Sequence, residues 1–161
     1  MNFIERSFWS HDEADRAQKL AESRQLAKAI ETAKQVIDAW SDSPGFGERQ
    51  MRKVSINRLL ANLKDNVKIW KKRLEKSKQL AQKGSDFLAN NNRDPWDTEA
   101  LENALNYFRK SLDINENAEC KTNQYICQHN LQEKKNFQEL FNLGKQQAEK
   151  KYSSKALNNY Q

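Results

Sequence analysis

The chain predicts an all-α fold, and three observations carry that expectation. Its 161 residues include only 4 Gly and 2 Pro, too few turn formers for a hairpin-rich β protein. Long stretches of Ala, Leu, Lys, Gln and Glu are strong helix formers with little β-branching. Apolar residues recur in alternating steps of three and four along most of the chain. A hydrophobic content of 37% and a mean hydropathy of −1.06 leave little material for a deep interior. Antiparallel helical hairpins, stacked as a solenoid or an elongated bundle with one long central helix, suit such a lean core better than one compact globule.

Ser10 or Asp12 opens a first helix through Ala17 and Leu20. A second follows on the face Leu26, Ile30, Ala33, Ile37 and Trp40. Residues 1–43 thus read as an N-terminal hairpin, closed by the Gly/Pro-bearing loop SDSPGFGE at 41–48. Residues 44–93 read as one long basic helix. Its seam runs Ile56, Leu60, Leu63, Val67, Trp70 and Leu74, with Ser77, Ala81, Gly84 and Leu88 in the same register. At about 40 residues the helix is long for a compact domain, which leaves a bend near Ser77 as the alternative to one continuous helix. Asp94-Pro95 predicts an N-cap and first helical residue for the next helix, with Leu101, Leu105, Phe108 and Leu112 inward. Asn115 to Asn117 stop that helix, and a further helical stretch starts at Ala118. Three of the four tryptophans, Trp9, Trp40 and Trp70, are expected as core anchors. Trp96, beside Pro95 at a loop-to-helix junction, is the one offered to a partner.

The last segment carries a recognisable spacing. Leu140, Leu143, Gly144, Ala156 and Tyr160 match the small and large positions of the tetratricopeptide repeat, a 34-residue helix–turn–helix unit, which residues 137–161 resemble. Ala17, Ala29, Ala33 and Val36 resemble it more weakly, as do Gly84 with Ala104, Phe108, Ser111 and Leu112 across a longer connection. The resemblance implies TPR-like helices over 94–161. Gly144 and Ala156 would let two antiparallel helices approach, and further repeats would follow in a longer protein. It also implies a concave groove for a protein or peptide partner, lined in the last repeat by Gln138, Phe141, Lys145 and Ala148. That set lacks the basic and amide residues of a carboxylate clamp.

Charge is concentrated. Between Lys64 and Lys83 stand eight basic residues against Asp65 and Glu75, a surplus equal to the whole chain's +6. Lys68, Lys72 and Lys76 form one i, i+4 row, with Arg73 beside it, on the side away from the seam. Such a strip steers acidic proteins or binds nucleic acid phosphates, although no aromatics are interleaved with it in sequence for base stacking.

Catalysis has little footing. There is no Gly-rich phosphate loop, no serine nucleophile motif and no His/carboxylate pairing. His11 and His129 stand alone in polar surroundings. Cys120 and Cys127, seven residues apart, lie about 10 Å apart along a helix, too far for a mutual disulfide. With His129 they lack a fourth ligand at zinc-like spacing, so neither a metal nor a cofactor is expected. With no apolar run long enough to span a bilayer and no signal-peptide pattern, a cytoplasmic location is expected. The reading is a non-enzymatic protein–protein interaction or scaffold module. Its alternatives are a nucleic-acid-associated helical module, using 64–83, and a homo-oligomer pairing through the 56–74 seam.

Overall fold

The computed structural model describes residues 1–41, 54–90 and 97–159. Among these the chain is all-α, with consecutive helices packed antiparallel: α1 (Phe3–Glu22), α2 (Leu26–Ala39), α3 (Val54–Asn90), α4 (Thr98–Ile114) and α5 (Ala118–Asn159). The loop expected at 41–48 falls, but for Ser41, outside the described residues, as do Asp94, Pro95 and Trp96.

Helix α1 starts earlier than Ser10. Asn2 and Glu5 form a capping box: the Glu5 amide donates to Asn2 Oδ1 at 2.8 Å and the Asn2 amide to Glu5 Oε2 at 3.1 Å. Ser10 is instead fully buried inside the helix, its hydroxyl donating to the Arg6 carbonyl at 2.7 Å. The helix ends on a Schellman pattern. Gln25 N–H bonds the Leu20 carbonyl at 2.8 Å and Arg24 N–H the Ala21 carbonyl at 3.1 Å. Arg24 occupies the left-handed position, φ 64°, that glycine usually takes. Helix α4 begins at Thr98, capped by Asp97, whose carboxylate accepts from the amides of Glu99 and Ala100. The cap is thus three residues beyond Asp94. Asn117 does the same for α5, accepting from the Cys120 amide at 3.0 Å.

Two cores share one helix. Alternating steps of three and four keep Ile56, Leu60, Leu63, Val67 and Trp70 of α3 on one stripe, and that stripe packs against α1 and α2. Ala17, Ala29, Ala33 and Val36 are completely buried there, small enough to let α1 and α2 close on each other. The C-terminal half of α3 presents Ala81, Gly84, Phe87 and Leu88 to α4 and the start of α5. A Cβ on Gly84 would lie 2.7 Å from the Phe108 ring, so a side chain at this crossing of α3 and α4 would force the ring or the helix to move. Between the cores, Ser77 and Ser111 exchange hydrogen bonds: each hydroxyl donates to the other's carbonyl, at 3.0 and 2.7 Å. The α3 helix runs unbroken through Ser77. Because its seam is covered within the chain, the 56–74 stripe is not left open for a second copy.

A second tie joins the hairpins at their turns. The α1–α2 turn meets the α4–α5 turn through Glu116 N–H on the Arg24 carbonyl (2.8 Å) and Arg24 Nη1 on the Leu112 carbonyl (3.1 Å). Gln25, at the N-cap of α2, makes no side-chain capping bond. Asn115 does so instead, its Oδ1 accepting at 3.0 Å from the buried amide of Leu26, 89 residues earlier in the chain. Asn115→Ala strands that donor and should cost about 1–3 kcal/mol. Asn115→Asp keeps an acceptor at a helix N-terminus and should cost less; urea unfolding of the two variants separates them.

Candidate interaction surfaces

Helix α5 has two parts with different surroundings. Its first turns pack on α4 through Cys120, Cys127 and Leu131, and Lys134 Nζ donates to Thr98 Oγ1 at 2.6 Å, near the start of α4. Helix α4 has no further length to offer. From Lys135 to Asn158 every residue is exposed, a projection of roughly 35 Å.

This corrects the hairpin expected within 137–161. Helix α5 continues through both Gly144 and Ala156, and a Cβ on Gly144 would meet nothing within 4 Å. The physical reason is local. The stretch KQQAEKKYSSKA that follows Gly144 holds neither Gly nor Pro, so no residue reverses the chain, and its Ala, Lys, Gln and Glu favour continuation. Spacings that suit close helix packing do not by themselves supply a turn.

Gln138, Phe141 and Lys145 therefore lie on an exposed helix surface and do not line a repeat groove. Lys145 Nζ sits 6.0 Å from the Phe141 ring centroid. Phe137, Phe141, Gly144, Ala148 and Tyr152 follow one another in steps of four, three, four and four, which places them along one stripe. Phe137, Leu140, Phe141 and Tyr152 are each at least 60% exposed, whereas residues of this kind are normally core.

The second surface is the outward face of α3. Lys68, Lys72, Lys76 and Arg73 are all exposed there, and none takes part in a salt bridge among the described residues. No hydrogen bond or ion pair links these residues to Gln138, Phe141 or Lys145, so the two sets form separate surfaces. Trp96 lies outside the described residues.

The structure adds aromatics that the linear sequence conceals. Phe87 of α3 and Tyr107 of α4 stack with centroids 5.6 Å apart and planes 21° from parallel. Lys83 and Lys110 place their ammonium groups 5.9 and 5.8 Å from the Tyr107 ring. Each pair is visible as a helical row, Lys83 with Phe87 and Tyr107 with Lys110. Their meeting depends on the α3–α4 register, which the neighbouring Gly84–Phe108 contact sets.

The titratable groups with a clear displacement include the two thiols. Burial pushes Cys127 up to about 11. It also raises Cys120, against a smaller lowering from the Ser111 hydrogen bond. Both are free thiols, held away from the thiolate form that nucleophilic or metal chemistry requires. Among the described residues no three His, Cys, Asp or Glu side chains gather where a metal ion would fit, and no helix is long and apolar enough to cross a membrane. His129 is exposed and stacked on Tyr125. Models of protein families, curated proteins and solved structures give no match to this chain.

Proposed function

We propose that the chain is a non-enzymatic helical scaffold, tetratricopeptide-like in the packing of its hairpins, whose projecting α5 segment docks a partner protein. The observation that carries this reading is the exposure of Phe141 and Tyr152 along one stripe of the projecting helix, with Leu140 at its edge. A monomer gains nothing in water from such a stripe, whereas an interface buries it. Lys145, beside Phe141, suits a partner carrying acidic groups next to its own apolar face.

A photo-crosslinking residue placed at Phe141 or Tyr152 should give a discrete adduct in cells, and one at Glu139, on the opposite face, should not. Equal adducts from all three positions, or none, would sink the reading. Phe141→Asp should abolish the Tyr152 adduct while leaving stability within about 0.5 kcal/mol, because the ring is 60% exposed and belongs to neither apolar core.

A further inference from the structure

The outward face of α3 is not used by that docking surface, and its chemistry points elsewhere. Lys68, Lys72 and Lys76 stand one helical turn apart, about 6 Å each, and Lys83 follows two turns beyond Lys76. At that end of the row the lysines meet an aromatic pair: Lys83 and Lys110 flank Tyr107, which stacks on Phe87. Three carboxylates of α3 lie near the row, and Asp65, one turn before Lys68, forms no salt bridge among the described residues. Glu75 and Asp86 accept hydrogen bonds from Gln79 and Gln82, and neither forms a salt bridge among the described residues.

We propose that this surface binds a single strand of nucleic acid. The Lys68–Lys83 row, about 22 Å long, follows the phosphates, and a base stacks at Tyr107 between Lys83 and Lys110. Unpaired lysines account for attraction to any polyanion. The aromatic pair at the end of the row is what selects a nucleic acid, because every base offers a flat π face and an acidic peptide or a lipid headgroup does not. A duplex keeps its bases stacked inward and cannot use Tyr107, so a single strand is favoured.

Fluorescence anisotropy on the full chain tests this, with a labelled 12-nucleotide oligothymidine and a duplex of equal length as probes. The single strand should bind at micromolar concentration in about 50 mM salt, more tightly than the duplex, and weaken steeply by about 200 mM. Lys72→Glu with Lys76→Glu should weaken binding at least tenfold. Tyr107→Leu should weaken it about 5- to 150-fold, the range for loss of one base stack, while Tyr107→Phe restores it. Circular dichroism melts of each variant separate lost binding from lost folding; should Tyr107→Leu fail to fold, Lys83→Glu with Lys110→Glu tests the same end of the row from exposed positions. No binding at low salt would overturn the proposal. So would binding that ignores strandedness and the Tyr107 substitutions, which would mean general attraction to polyanions. Capture by phosphatidylserine vesicles without oligonucleotide binding would assign the strip to a membrane surface and equally overturn it.

Discussion

Phe108→Ala should cost about 3–5 kcal/mol of folding stability, one of the two largest effects expected from a single substitution in this chain. The ring is completely buried and is among the largest side chains with no solvent contact. It fills the space between α3 and α4 beside Gly84, which has no side chain to collapse into that space. The cavity term should therefore be near the upper end for its size. Gly84→Ala acts from the opposite side. Its Cβ would come within 2.7 Å of Cε1 of the ring, so the ring or the helix must move, at about 1–3 kcal/mol. In the Phe108→Ala background the same methyl enters empty space and should be neutral or favourable. A double-mutant cycle by urea unfolding should give a coupling of about 0.5–3 kcal/mol. If Gly84→Ala costs the same in both backgrounds, the two residues do not meet as described.

What the sequence reveals and what it conceals divide along a physical line. Periodicity is local, so the α3 seam from Ile56 to Leu88, the Leu26–Trp40 face and the Leu101–Leu112 face could all be read from spacing, and their members are buried or half-buried. The start of α1 is also locally encoded, in the Asn2 and Glu5 capping box, but Ser10 and Asp12 are equally good cap residues, so residue type alone does not choose among them. The Asn115 cap on α2 has no local trace, because donor and acceptor are 89 residues apart. The same holds for the Phe87–Tyr107 stack, whose halves acquire meaning only once the α3–α4 register is fixed. The stretch 137–161 failed differently. Its spacings match those of a packed hairpin, yet spacing records which residues would touch if the chain turned. It does not record whether the chain turns, and no residue between Gly144 and Ala156 makes it do so.

Trp40→Ala should cost about as much as Phe108→Ala, on the order of 3–5 kcal/mol, and it probes the other core. The indole is 5% exposed, and three groups of α1 hold it. Phe3 meets it edge-on at 5.5 Å, the Arg6 guanidinium lies 4.2 Å from its ring centre, and its Nε1–H donates to Ser10 Oγ at 2.8 Å. Arg6 also donates to the Ala39 carbonyl at the end of α2, so α1 closes the C-terminus of its neighbour through the same residues. Trp40→Phe keeps most of the apolar area and loses the bond to Ser10, whose hydroxyl retains the Arg6 carbonyl. It should therefore cost about 1–2 kcal/mol, well short of the alanine variant. The pair Trp40→Ala and Phe108→Ala then tests how α3 links the cores. The two sites belong to separate apolar clusters, so in one cooperative unit their costs should add to within about 0.5 kcal/mol. If α3 does not transmit cooperativity past the Ser77–Ser111 junction, denaturation should instead split into two transitions. Trp40→Ala would then shift only the transition of the N-terminal core, and Phe108→Ala only the other. A single transition that moves with both substitutions means the reciprocal serine bonds and the Asn115 cap join the hairpins into one folding unit, which presents both the α3 face and the α5 projection from a common frame.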